Sequence, residues 1–173
     1  MNKTKIKVGF LTISDRASRG EYPDIGGPAM INWVETAILS PIEKVSIIVE
    51  DTQQKIEDAL IKLSDEEYCN LILTTGGTGP AKRDVTPEAT INVCDKLLDG
   101  FGEQMRTVSL KTVPTAILSR QLAGIRNQSL IINLPGKPEA IDVCLKAIFL
   151  AIPKCLELLD NSNIQLDLDF IED

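Results

Sequence analysis

Asn70-Leu71-Ile72-Leu73-Thr74-Thr75 runs directly into Gly76-Gly77-Thr78-Gly79-Pro80, with Lys82-Arg83-Asp84 close behind. The first six residues are a short, largely apolar run, which predicts a buried strand. Three glycines at the end of such a strand let backbone N–H groups converge on one point, a nest for anionic oxygens. Threonine hydroxyls offer further donors, and the helix expected to begin just beyond adds partial positive charge. The spacing is neither G-x-G-x-x-G nor G-x-x-x-x-G-K-[ST], so neither the dinucleotide nor the P-loop fingerprint applies. Read locally, a tight structural turn also accounts for these glycines.

Working outward, strand-like and helix-like segments alternate. Ile6–Ile13 (IKVGFLTI) predicts a first buried strand, and residues 14–27, rich in Ser, Gly, Pro and charge, predict a loop. Pro28 suits the first turn of a helix running to about residue 39, because its missing N–H costs nothing there. Residues 44–49 read as a strand, and residues 53–64 carry apolar side chains at helical spacing. Thr86-Pro87-Glu88 predicts a helix start with Thr86 as hydroxyl cap and Pro87 at the first helical position. A further helix is expected over residues 102–112, a strand at Ser129–Leu134, and a helix from Glu139 that Pro153 kinks or restarts. Residues 164–171 read as an edge strand or a frayed tail. Trp33, Phe101 and Phe149 fall on apolar faces and read as core. The alternation predicts an α/β domain with a mostly parallel sheet and right-handed crossovers. Residues 1–159 form this one domain, and residues 160–173 an acidic tail.

The composition closes off other chemistries. The chain has 173 residues, a size suited to one domain. Its 43% hydrophobic and 25% charged residues fit a globular protein rather than a disordered one. Histidine is absent, which removes Ser-His-Asp and Cys-His sites and histidine-based zinc centres. The net charge of −7 argues against a nucleic-acid partner. Asp160, Asp167, Asp169, Glu172 and Asp173 supply much of it. Cys69, Cys94, Cys144 and Cys155 show no C-x-x-C spacing and read as small buried hydrophobes. With neither a signal-like start nor a long apolar span, a cytoplasmic protein without a membrane partner is expected.

In a parallel sheet, ligands bind beyond the carboxyl ends of the strands. That rule gathers Ser14-Asp15-Arg16, Glu50-Asp51, residues 75–84 and residues 133–138 on one rim. Asp51 and Asp84, two separated carboxylates beside a phosphate nest, are a donor set that Mg²⁺ favours. Asp51 is equally a turn residue before the next helix, and Asp84 equally a helix-entry acid. Lys82 and Arg83 suit ionised oxygens, or form a solvated charge cluster. Asn133-Leu134-Pro135-Gly136 brings a second turn near the ligand, or is an ordinary strand-to-helix connection.

Several motifs occur together in one order: Ile13-Ser14-Asp15-Arg16, the run from Thr74 to Pro80, Arg83-Asp84-Val85-Thr86-Pro87-Glu88-Ala89-Thr90, Gly100-Phe101-Gly102-Glu103-Gln104-Met105-Arg106, Pro114-Thr115-Ala116-Ile117-Leu118-Ser119-Arg120, Gly124-Ile125-Arg126 and Ile132-Asn133-Leu134-Pro135-Gly136. Over about residues 5–159 the chain resembles the MogA-type molybdopterin adenylyltransferases of molybdenum cofactor biosynthesis. It is similar also to the MoaB proteins, to the corresponding domain of gephyrin and to that of the plant two-domain protein. It departs from the MogA pattern in the shortened segment between Lys146 and Pro153.

The resemblance implies transfer of AMP from ATP to the terminal phosphate of molybdopterin, with Mg²⁺, giving adenylylated molybdopterin and pyrophosphate. It implies a three-layer α/β fold, a homotrimer, and hand-off of the product to a molybdenum insertase. Asp51 and Asp84 match the family's functional acidic positions and would hold Mg²⁺. Thr75, Gly76, Gly77, Thr78 and Gly79 would bind phosphates. Ser14, Asp15, Pro135 and Gly136 would line the nucleotide or pterin pocket, and Lys82 or Arg83 would stabilise charge on pyrophosphate. A non-catalytic molybdopterin-binding or scaffold module of the MoaB or gephyrin kind is the alternative, and a nucleotide hydrolase a more distant one.

Overall fold

A computed structural model describes residues 5–160 and 162–173. Three strands expected from the sequence lie side by side, with β1 in the middle: β1 (Ile6–Ile13), β2 (Ile42–Val49) at the edge of the sheet and β3 (Leu71–Thr75). β1 pairs in parallel with β2 from Ile6↔Ile42 and with β3 from Val8↔Leu71. On its other side β3 pairs in parallel with β6 (Ser129–Leu134). Two strands that the sequence did not announce complete the sheet. β5 (Ala123–Arg126) forms an antiparallel hairpin with β6, and the short β4 (Lys96–Leu97) pairs antiparallel with β5. The hairpin turns at Asn127, which takes φ 50°, a left-handed conformation that asparagine tolerates. Among the described residues the strand order is β2-β1-β3-β6-β5-β4. The chain leaves β1 toward one edge and β3 toward the other, so the topological switch lies between their carboxyl ends.

The central strands are apolar on both faces because each face carries a helical layer. In β3, Leu71 and Leu73 join the core beneath α2 (Gly26–Ala37) and α6 (Pro138–Ile148), whereas Ile72 points to the other face. That second core packs Leu11, Ile13, Ile72 and Ile131 against Ile56 and Leu60 of α3 (Gln53–Ile61) and Ala89 of α4 (Thr86–Val93). Helices on both sides of the sheet make the three-layer sandwich. Trp33 and Phe149 are core, their rings 4.6 Å apart, and the Trp33 indole donates to Asp142 Oδ1 at 2.9 Å. Phe101 is only partly buried, at the edge of that core. Cys69 and Cys144 are buried, Cys94 and Cys155 half-buried. Burial pushes the Cys69 thiol up to about 12 and Cys94 to about 11, so neither is a thiolate at neutral pH.

Several boundaries move for identifiable reasons. α3 ends in a π-helical turn, Lys62–Glu66, rather than running on as regular helix. α5 (Asp99–Ser109) begins three residues earlier than expected. The helix before Pro153 ends at Ile148, a 3₁₀ turn follows over Phe149–Ala151, and α7 (Ile152–Asp160) restarts with the proline in its first turn.

The last segment is neither an edge strand of the sheet nor a frayed end. Leu166 bridges antiparallel to Ile38, Leu39 N–H donates to Gln165 O at 2.8 Å, and Asp167 N–H donates to Ala37 O at 2.8 Å. Asp167 caps a final short helix, α8 (Leu168–Glu172), by accepting from Phe170 N–H. Ile164 and Ile171 are buried in the α2 core, and the Phe170 ring lies 5.3 Å from Trp33. Ile171→Ala is therefore expected to cost about 2 kcal/mol or more, as for other buried truncations, read as a lower urea midpoint at unchanged slope.

Candidate functional site

The site stands over the carboxyl ends of β1, β2 and β3, and its backbone is fixed first. Ser14 caps the short α1 (Asp15–Ser18), its Oγ accepting from Ala17 N–H at 3.2 Å. Asp15 and Asp51 exchange bonds: Asp15 N–H donates to Asp51 Oδ2 at 2.8 Å, and Asp51 N–H to Asp15 Oδ1 at 3.0 Å. This pair clamps the ends of β1 and β2 together. Arg83 reaches across and pairs with Asp15 Oδ2. Lys82 makes no ion pair among the described residues.

The glycine loop passes between the two candidate metal carboxylates. A Cβ added at Gly77 would stand 3.6 Å from Asp51 Oδ1, and one at Gly79 would stand 2.8 Å from Asp84 Oδ2. Gly76 and Gly77 take φ 98° and 65°, conformations that disfavour any side chain. Among the described residues, the N–H groups of Gly77, Thr78 and Gly79 donate to no protein acceptor. Three consecutive donors without a protein partner are what an anion nest requires.

The other expected donors are spent on structure. The Thr75 hydroxyl is buried and donates to Pro135 O at 2.8 Å, which ties the two turns together. Thr86 is the first residue of α4 rather than its cap; Val85 holds the cap position. The Thr86 hydroxyl donates to Gly76 O at 2.9 Å and its N–H to Gly77 O at 3.1 Å. The start of α4 thus holds the glycine loop in place, and the anion donors come from the loop itself.

Asp51 is the perturbed acid. Burial pushes its pKa above the ordinary carboxylate value, and the charges of Asp15 and Asp84 add to the rise. The bond from Asp15 N–H and the Arg83 charge work against it. Among the described residues no group of three or more His, Cys, Asp or Glu side chains is arranged to hold a metal. Mg²⁺ asks for less: one or two carboxylates, water and substrate phosphate. Asp51 Oδ1 and Asp84 Oδ1 accept no hydrogen bond among the described residues, and a cation would offset both the burial that chiefly raises the Asp51 pKa and the neighbouring charges that add to it. The donor set fits.

Beside the loop opens a cavity of about 610 Å³. Thr78, Gly79, Pro135 and Gly136 form its wall on the side of the glycine loop, and Val113, Leu118, Ala140 and Val143 give it an apolar side. Polar groups sit at one end. The Ser119 hydroxyl donates to Gln121 Oε1 at 2.7 Å, Gln121 Nε2 donates to Cys144 Sγ at 3.3 Å, and Arg106 donates to Gln121 O at 2.8 Å. Burial raises the Cys144 thiol, so it serves as a weakly polar wall group rather than a nucleophile. Lys137 lies on the exposed rim.

The structure therefore divides the residues chosen from sequence. Asp15, Asp51, Arg83, Asp84 and Gly77 gather at the carboxylate end, beside Ser14. Thr78, Gly79, Pro135 and Gly136 line the cavity, and Gly76 and Thr75 shape the loop. Arg106, Ser119, Arg120, Gln121 and Lys137 were missed. The first four lie in or beside recognisable motifs, but their local patterns read as helix and core, with nothing to turn them toward a ligand.

A three-layer α/β domain with a glycine loop between carboxylates at its strand ends, opening onto a partly apolar cavity, has the form of a small-ligand-binding protein. Comparison narrows the class. Residues 9–154 match the family described as "Probable molybdopterin binding domain". The molybdopterin adenylyltransferase of Helicobacter pylori strain 26695 is 56% identical over 162 residues, covering 94% of this chain and 92% of that protein. The enzyme of the same name from Escherichia coli K12 is 47% identical over 172 residues, covering 92% and 88%. The crystal structure of MoaB from Thermus thermophilus, a molybdopterin biosynthesis enzyme, superposes with a TM-score of 0.84 at 38% identity, over 92% of this chain and 99% of that one. The chain belongs to this molybdopterin-binding family of molybdenum cofactor biosynthesis.

Proposed function

We propose that this chain is a molybdopterin adenylyltransferase. The terminal phosphate of molybdopterin attacks the α-phosphorus of ATP; the new bond joins that phosphate oxygen to phosphorus, and the bond to the β-phosphate oxygen breaks, releasing pyrophosphate. The observation that carries the reading is the row of N–H groups without a protein acceptor at Gly77, Thr78 and Gly79, set between Asp51 and Asp84, with Thr78 and Gly79 on the cavity wall. High identity over nearly the full length of adenylyltransferases supports it.

Such a transfer needs positioning and charge neutralisation more than a strong base, so a protein without histidine suits it. Asp51 and Asp84 would hold Mg²⁺, which when bound neutralises charge on the phosphates. The loop N–H groups orient phosphate oxygens. Of Lys82 and Arg83, Lys82 is the one to meet the leaving pyrophosphate, because Arg83 is engaged by Asp15. The apolar wall of the cavity takes a flat ring, with Gln121 and Ser119 at its polar end. On this reading the protein works as a homotrimer in the cytoplasm and passes its product to a molybdenum insertase. Among the described residues no helix is long and apolar enough to cross a membrane.

The test is incubation of the purified protein with ATP, Mg²⁺ and molybdopterin, followed for pyrophosphate and adenylylated pterin. Product that requires all three supports the enzyme. Tight molybdopterin binding without product leaves the binding module, and ATP consumption without pterin leaves a hydrolase.

A further inference from the structure

Arg120 lies outside the set of residues chosen from the sequence, on the segment that runs along the cavity, yet its backbone N–H and two of its guanidinium nitrogens bond carbonyls of residues 78–84. Its N–H donates to Thr78 O at 2.9 Å, Nε to Gly79 O at 2.9 Å and Nη2 to Asp84 O at 2.7 Å. The same guanidinium pairs with Glu88 on α4. One residue thus holds the loop at both ends and fixes itself to the helix that follows.

The consequences follow from peptide geometry. A trans peptide points its C=O and the next N–H in opposite directions. With Thr78 O turned onto Arg120, Gly79 N–H is turned away from it, into the group of unspent donors. Between these anchors, residues 80–83 are exposed, and the turn is closed by Asp84 alone, through Asp84 N–H to Ala81 O and Ala81 N–H to Asp84 Oδ2, both 2.9 Å. The exposed Arg83 side chain, paired with Asp15, is the other tie from this turn to the body, and among the described residues the Asp84 carboxylate itself bonds only within the turn.

We propose that Arg120 is a positioning residue for adenylyl transfer: it holds residues 78–84 so that the Asp84 carboxylate stays across the loop from Asp51 and the Gly79 N–H faces the phosphates. The inference rests on the adenylyltransferase reading. It requires the planar fork of arginine, which serves two carbonyls and a carboxylate at once; the single ammonium of lysine cannot span them.

Arg120→Lys and Arg120→Gln test it beside the unsubstituted protein. Three quantities are read: kcat and KM for molybdopterin across a Mg²⁺ titration, the affinity for ATP·Mg²⁺ by calorimetry without pterin, and Tm. The proposal expects both variants to lose about tenfold to a hundredfold in kcat. It expects the Mg²⁺ needed for half-maximal rate to rise severalfold and ATP·Mg²⁺ binding to weaken, with KM for molybdopterin little changed. Full recovery by Arg120→Lys would overturn it, because charge alone would then suffice. A fall in Tm with unaltered Mg²⁺ demand and ATP affinity would also overturn it, leaving Arg120 a structural ion pair. If the unsubstituted protein makes no product, the adenylyltransferase reading fails by itself. Calorimetry then decides Arg120 separately: weaker ATP·Mg²⁺ binding in both variants upholds the positioning role, and equal binding ends it.

Discussion

Asp51→Asn and Asp84→Asn are each expected to lower the rate of adenylyl transfer by about a hundredfold or more, the scale of losing one preorganised charge-stabilising group. The two variants part company in stability. Asp51 is partly buried and lies near Asp15 and Asp84, which raise its pKa in the folded protein. A carboxyl whose folded pKa is raised binds its proton more tightly when folded than when unfolded. At neutral pH its charge therefore works against folding, and that penalty fades as pH falls through the window between the ordinary carboxylate value and the raised one. Asparagine removes the charge but keeps an oxygen for Asp15 N–H, now at 2.8 Å from Asp51 Oδ2. Asp51→Asn should raise Tm at pH 7, and its advantage should shrink in mildly acidic buffer. Asp84→Asn should raise Tm less, because it relieves Asp51 only at a distance.

The same shift sets a pH dependence. Mg²⁺ and a proton compete for Asp51, so the acid limb of the rate profile should lie above the ordinary carboxylate range at limiting Mg²⁺ and move down as Mg²⁺ is raised. Rate profiles at two Mg²⁺ concentrations check this. A limb that ignores Mg²⁺ would remove Asp51 from the metal site.

What the sequence displays is governed by period and punctuation. The apolar runs at residues 6–13, 70–75 and 129–134 are buried on both faces, and each became a central strand. The rim followed, since strand ends in a parallel sheet share a side, and this placed Asp15, Asp51, the glycine loop and residues 133–136 near one another before any coordinates. The two antiparallel strands escaped because Lys96–Leu97 and Ala123–Arg126 are too short to show a period, and their pairing is decided by the hairpin at Asn127. Thr86 was misread as a cap because a threonine before proline carries the same local signal whether its hydroxyl serves its own helix or a loop ten residues back. Arg120 was invisible for a related reason: two of the partners of its guanidinium are backbone carbonyls 36 and 41 residues away, and carbonyls leave no mark in a sequence. The acidic residues near the end hid Ile164 and Ile171, which decide that the segment docks.

Gly76→Ala is expected to be the most damaging single methyl in the chain. Its Cβ would fall 2.3 Å from the carbonyl oxygen of Ile13. That atom is backbone at the end of β1, where Ser14 N–H is bonded to Val49 O at 2.9 Å, so it cannot step aside without disturbing the β1–β2 clamp. The φ of 98° adds its own strain for a residue with a side chain. Strain and overpacking each cost on the order of 1–3 kcal/mol, so a loss of about 3 kcal/mol or more is expected, a fall in Tm of roughly 6–12 °C at this chain length. Gly77→Ala meets a softer obstacle, since its Cβ would fall 2.3 Å from Thr86 Oγ1, and that side chain can rotate by giving up its bond to Gly76 O. Gly20→Ala is the control. It has φ 69° but no atom within 4 Å of the new methyl, so it carries backbone strain alone, about 1–2 kcal/mol. The three should therefore rank Gly76, then Gly77, then Gly20 in lost stability, by urea or thermal unfolding. Activity should separate them further: Gly76→Ala and Gly77→Ala displace the loop N–H groups and lose transfer, whereas Gly20→Ala keeps it in the fraction that remains folded. Equal costs at Gly20 and Gly76 would mean that conformation alone makes these glycines necessary, and that the close approach of the loop to the end of β1 is not what holds the phosphate nest in shape.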